Sequence, residues 1–212
     1  LAWMSPDELL IMVPRASGGV AFAALEQALQ GLHYLLEALA KLRTEREDAH
    51  LVIIGKPKDG GKAMDTLARL GLEDHVEWIS GVPDQRIVEL YAECSVACVP
   101  SLYEGFSLPA IEAMCTGICL VATDGGALPE VTGIDGDTVL GCKAGDAEGL
   151  AATIRRGLDD PELRARVGLN GRNRVVERWT WRKCAEQTVE QYREVLAMPA
   201  NQEKLRRNGR VK

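Results

Sequence analysis

The sequence has no apolar run approaching the roughly 20 residues that span a bilayer, and no secretory leader is visible at its start. None of its 6 cysteines forms a Cys-x-x-Cys pair. It contains no internal repeat and no low-complexity linker, and His33, His50 and His75 stand in no motif. These absences argue against a membrane span, a paired-cysteine metal site and a repeat architecture. Cys94 and Cys98 would lie about 13 Å apart on a strand at roughly 3.3 Å per residue, too far to share an ion. Free core cysteines in a reducing compartment are expected instead, which makes the expected location cytoplasmic.

What is present is ordinary globular composition: 212 residues, 46% hydrophobic and 26% charged. That is enough for one domain with a full core. The chain starts at Leu1 rather than Met, as a fragment of a longer protein would. Its formal net charge is −6. Lys204, Arg206, Arg207, Arg210 and Lys212 face Glu203 alone in the last fifteen residues, a balance of +4, leaving −10 on the body. An acidic body argues against nucleic-acid binding. The basic residues 198–212 are expected to form a frayed, solvated tail, the one part of this chain suited to touching an acidic membrane.

Short apolar runs recur at 9–13, 51–54, 76–80, 96–100, 119–123 and 138–141. Most are rich in Val and Ile, as strands buried on both faces are. Helical spacing marks 25–42, 63–72, 87–94, 110–115 and 150–158. The expected fold is therefore α/β: a single Rossmann-like domain over residues 1–197, with a parallel six-stranded sheet and helices on both faces. After residue 143 the chain turns mostly helical. Asp159-Asp160-Pro161 reads as a helix stop and restart, and a last long helix is expected over 181–196.

The stretch from Pro100 to Met114 holds two glutamates, Glu104 and Glu112, eight positions apart. It leaves a buried strand, turns at Gly105 and enters a helix through Ser107 and Pro109, a good N-cap and a tolerated first-turn proline. Ligands of parallel sheets bind outside the carboxyl ends of the strands. There the free first-turn amides, that of Leu108 among them, attract phosphate. Glu112 follows Leu108 by one turn, about 6 Å along the axis, and suits a vicinal diol such as ribose. Glu104 stands on the other side of the phosphate point. Two carboxylates flanking a phosphate suit a nucleotide sugar. Solvated glutamates are the alternative; a capping box is not, because position N3 holds Ala110.

The segment Glu-Gly-Phe-Ser-Leu-Pro-Ala-Ile-Glu-Ala-Met resembles the Glu-x7-Glu signature of retaining glycosyltransferases of the group 1 family, which have a GT-B fold. Asp124-Gly125-Gly126-Ala127-Leu128-Pro129-Glu130 resembles that family's Gly-Gly-x-Pro-Glu loop. Trp179-Thr180-Trp181 resembles its aromatic-Ser/Thr-Trp start of a closing helix, and Ser80-Gly81-Val82-Pro83-Asp84 its loop near the nucleotide base. The resemblance runs from about residue 31 to 197 and covers only the family's C-terminal, donor-binding half.

The resemblance implies roles. Glu104 would bind hydroxyls of the donor hexose, with backbone contacts from Gly105 and Phe106. Ser107 and the Leu108 amide would hold the diphosphate, Glu112 the ribose, and Gly81 and Val82 the edge of the base. Arg15 stands for the arginine that follows the family's first strand and grips the diphosphate. No metal or other cofactor is expected, and retention is ascribed to front-face attack without a covalent glutamate. The partners implied are an NDP-sugar donor and an N-terminal acceptor domain or partner chain. The missing half offers a second possible route to a membrane. Departures stand beside these matches. Gly31 fits the glycine of the Lys-Gly that the family usually has at the start of this helix, but the lysine position holds Gln30, a neutral amide. Lys56, Lys58 or Lys62 could replace that charge in space; solvated loop charge is the alternative.

Other phosphate and hydrolase motifs do not fit. From Gly55 to Lys62 a Walker loop has one residue too many, with Ala63 in place of Ser or Thr. Ser17-Gly18-Gly19 is not a dinucleotide fingerprint. Gly105 to Pro109 lacks the last glycine of a hydrolase elbow. The remaining contest is between the donor half of a transferase and a module that binds nucleotide or nucleotide sugar without transferring it.

Overall fold

The computed structural model describes residues 10–12, 29–57 and 60–207. Arg15, Lys58, Arg210, Lys212 and the first residues of the helix expected over 25–42 lie outside them. The chain divides into a larger unit running to Asn173 and a smaller one beginning at Arg174.

In the larger unit six short strands form within two residues of the expected bounds: β1 Leu10–Met12, β2 Leu51–Ile54, β3 Val76–Ile79, β4 Val96–Val99, β5 Cys119–Thr123 and β6 Leu140–Cys142. Sequence decides which are central. β2, β4 and β5 are apolar at nearly every position and every residue is buried. β3 carries Glu77, is only partly buried and lies at the edge of its ladder. Three-residue β6, with Gly141 in its middle, is the other edge. The pairs β2–β3, β4–β5 and β5–β6 are parallel.

Two details differ from one continuous parallel sheet. The strands form two three-stranded ladders, β1-β2-β3 and β4-β5-β6, and β1 pairs antiparallel with β2. β1 also lies against β4, so it stands where the ladders meet. Alternation of strands and helices implies parallel pairing, but a three-residue apolar run carries no signal for its own direction.

Helices cover both faces. One layer holds α1 (Leu29–Arg43), α2 (Lys62–Leu70) and α6 (Ala147–Asp159), with α1 against the other two. Leu32, Leu35, Leu36, Leu39 and Leu42 of α1 are buried at helical spacing. The other layer holds α3 (Asp84–Glu93), α4 (Leu108–Thr116) and α5 (Leu128–Thr132). α5 was not expected; its five residues fall in the stretch read as a glycine loop. The expected stop and restart is found: α6 ends at Asp159 and α7 begins at Pro161. Asp160 accepts a hydrogen bond from the Leu163 amide at 2.8 Å and caps α7 (Pro161–Arg178).

In the smaller unit Thr180 accepts from the Lys183 amide and caps α8 (Trp181–Ala197). Pro199–Arg207, in the stretch expected to fray, forms a helix instead, α9.

Candidate functional site

The polar residues of interest sit at the carboxyl ends of β4 and β5. Beyond Val99 the chain passes Pro100 and reaches Ser101, which is 1% exposed. Ser101 Oγ donates to Glu104 Oε1 at 2.7 Å. The Ser101 carbonyl accepts in turn from Thr123 Oγ1 at the end of β5. One carboxylate oxygen is therefore fixed from the core, and Oε2 accepts no hydrogen bond among the described residues.

The Glu104 backbone is held from the other side. Glu104 bridges to Gly126, and its carbonyl accepts from the Ala127 amide at 2.8 Å. Gly126 has φ +62°, and a Cβ there would come within 2.3 Å of the Glu104 carbonyl oxygen. A Cβ on Gly125 would approach the Ser101 and Leu102 oxygens to 2.6 Å. The two glycines thus let one backbone lie flush on the other. Next to them, Lys143 Nζ donates to Asp124 at 2.6 Å and the Ala144 amide donates at 2.9 Å. The Lys143 bond first, then the Ala144 bond, hold the Asp124 carboxyl below its usual range.

Past Glu104, Gly105 and Phe106 are exposed. Ser107 then takes φ +73°, the one non-glycine positive φ among the described residues. It occupies the N-cap position but its side chain makes no cap bond. Its Oγ is buried without a partner among the described residues. The left-handed backbone explains the lost cap, because an N-cap residue that bonds N2 or N3 has extended dihedrals. No side chain of the N-cap residue therefore occupies the first turn of α4. One turn further on, Glu112 is 5% exposed. Its charge lies close enough to Tyr91 to help raise that hydroxyl's pKa well above the ordinary value, after the larger effect of burial.

The structure brings Glu104, Ser107, Leu108 and Glu112 together on one loop and helix. Gly81, at φ +69°, and Val82 follow the carboxyl end of β3, in the other ladder. Gly31 in the first turn of α1 abuts β4: a Cβ there would fall 1.7 Å from the Pro100 carbonyl oxygen. Sequence reasoning missed Ser101, Thr123 and the clamping task of Gly125 and Gly126. The available signal was Ser101 itself, a polar residue directly after an apolar strand and three before Glu104.

A separate cavity of about 340 Å³ lies beyond Asp124, lined by Thr132, Asp135, Cys142 and Lys143 among others. It includes neither Glu104 nor Glu112. None of the six cysteines is joined in a disulfide. Burial pushes Cys119 up to about 12 and raises Cys98 well above the ordinary thiol value, so both stay protonated. Among the described residues no three His, Cys, Asp or Glu side chains come together as metal ligands, and no helix is long and apolar enough to cross a membrane.

Residues 21–174 match the family model described as "Glycosyl transferases group 1". An MMP alpha-(1->4)-mannosyltransferase from Mycolicibacterium hassiacum is 43% identical over 181 residues, which are 85% of this chain and 44% of the relative. A sucrose-phosphate synthase structure from Thermosynechococcus elongatus superposes with a TM-score of 0.71 at 27% identity, covering 92% of this chain and 47% of that one. The structure of a C-terminal domain of a group 1 glycosyl transferase from Francisella tularensis superposes with a TM-score of 0.66, covering 80% of this chain and 89% of that one. At 23% identity this last likeness shows the fold alone. The chain spans about half the length of the curated relatives it matches.

Proposed function

Because the chain belongs to the group 1 glycosyl transferases, we propose that it is the donor-binding half of a retaining hexosyltransferase that uses an NDP-sugar. The observation that carries this reading is the fixed Glu104 carboxylate at the mouth of α4: Ser101 holds one oxygen and the Gly125-Gly126 backbone holds the loop. Its free oxygen suits hexose hydroxyls. The first-turn amides, starting at Leu108, receive the diphosphate, with Ser107 Oγ beside them. Glu112 accepts from ribose hydroxyls, Gly81 and Val82 edge the base, and Gly105 and Phe106 add backbone contacts.

In this reading the catalytic contribution of the half is electrostatic. Negative charge grows on the leaving diphosphate, and preorganised amides at a helix N-terminus stabilise it without reorganising. Arg15 adds a cation to the same task. Attack on the face the diphosphate leaves retains configuration and needs no covalent glutamate. No metal or cofactor enters. Residues 1–197 form the nucleotide-sugar-binding domain, with 198–212 as a basic tail. The acceptor comes from an N-terminal domain or partner chain, the compartment is the reducing cytoplasm, and nucleic acid is not a partner.

A second reading, a nucleotide-binding module without transfer, is favoured by Gln30 at the position of the expected lysine. Titration calorimetry with UDP, GDP and ADP tests what both readings share, and a transfer assay separates them. The isolated chain binds one of these nucleotides and transfers no sugar until an acceptor half is supplied. Transfer by the isolated chain overturns the half-enzyme reading.

A further inference from the structure

Lys62 opens α2 in a position that the fold itself does not favour. A cation at a helix N-terminus faces the positive end of the helix dipole. Lys62 has no carboxylate partner among the described residues, whereas Lys41, Lys143 and Arg69 each have one. Its charge also works against protonation of His33 on α1. Among the described residues it lies over the face of Tyr34, whose ring centre is 5.7 Å from Nζ.

Tyr34 links this cation to the donor site. Its hydroxyl and the Leu102 side chain converge on Gly145: a Cβ there would meet them at 3.6 and 3.7 Å. Leu102 belongs to the loop that carries Glu104. The same first turn of α1 abuts the Pro100 carbonyl through Gly31. The His33 ring lies beside that of Tyr34, tilted by 39° with centroids 4.0 Å apart. It is 6% exposed and its Nε2 has no partner among the described residues. Burial first, then Lys62, favour the neutral imidazole. The neighbouring ring therefore adds no second cation beside Lys62.

We propose that Lys62 supplies the ammonium that pairs with the donor diphosphate, the charge that Gln30 does not bring. This rests on the donor-site reading above. An approaching diphosphate offsets the helix-end repulsion, and the Tyr34 face keeps the ammonium at the rim while the site is empty. Lys62 is thus a specificity residue for phosphate over the uncharged nucleoside.

The test is calorimetric titration of the intact chain with UDP, GDP and ADP and with the matching nucleosides. Lys62→Gln is compared with Lys62→Arg, and with Lys183→Gln as a control for lost charge. The expected result for Lys62→Gln is about tenfold or greater weakening for the diphosphate that binds, the scale of one lost charge-assisted hydrogen bond. Nucleoside affinity stays unchanged, the salt dependence flattens, and Lys62→Arg retains most of the affinity. Lys183→Gln binds as the unaltered chain does. Equal diphosphate binding by Lys62→Gln and the unaltered chain overturns the role of Lys62 and leaves the donor site standing. Absence of binding to every nucleotide by the unaltered chain overturns both.

Discussion

The Glu104 carbonyl oxygen lies 2.3 Å from the point where a Cβ on Gly126 would stand. Two loops that leave neighbouring parallel strands therefore meet backbone to backbone, and the residue that carries the Glu104 carboxylate is positioned by a residue with no side chain.

Gly126→Ala is expected to be costly. The methyl group meets a carbonyl in a backbone region that L residues disfavour, at roughly 2–4 kcal/mol from left-handed strain and overpacking together. Urea unfolding measures the loss. An unchanged midpoint would mean that the loops part easily and do not position Glu104.

Ser101→Ala removes the bond to Glu104 Oε1. The variant keeps most of its stability but binds NDP-sugar about tenfold more weakly, the scale of a hydrogen bond to a charged group. Affinity for the bare NDP stays the same. A comparison of the two ligands by calorimetry checks this; parallel losses would place Ser101 in the general fold rather than behind the sugar contact.

Ser107→Gly is expected to raise stability by about 1 kcal/mol, because glycine adopts positive φ without the Cβ penalty. The Ser107 hydroxyl makes no capping bond that would be lost. The unfolding midpoint in urea reads the change, and a fall would mean that the hydroxyl stabilises the helix start by another route.

Stability should also fall on mild acidification. His33 and His50 both have pKa values lowered from 6.5, chiefly by burial. A folded pKa below the unfolded one means that the unfolded chain binds the proton more readily. Stability is thus complete above about pH 6.5 and declines as pH falls through that value towards the folded pKa values. Denaturant titrations across this window measure the slope. His33→Gln combined with His50→Gln flattens it, and an unchanged slope in the double variant would assign it to other groups.

Legibility from sequence followed burial. β2 and β5 form over the residues expected, because strands buried on both faces leave an unbroken apolar run. The direction of β1, antiparallel to β2, was not legible, since three apolar residues carry no signal for strand direction. α5 escaped notice because its five residues begin with Leu128-Pro129, inside a stretch whose glycines read as loop. At the site, Glu104 and Glu112 stood out by spacing. The failure of Ser107 to cap did not, because residue type reports capping capacity and not φ. Gly31 was placed by pattern alone; its physical reason, the Pro100 carbonyl, required the fold.

The central claim is that a nucleoside diphosphate binds at α4 with its ribose on Glu112. Calorimetric titration of the unaltered chain and of Glu112→Gln with UDP, GDP and ADP tests it most directly, with circular dichroism to establish that both are folded. The account predicts saturable one-site binding of at least one diphosphate to the unaltered chain, weakened about tenfold or more by the loss of the carboxylate. Equal binding by the two proteins, or no binding of any diphosphate to the unaltered chain, would contradict it.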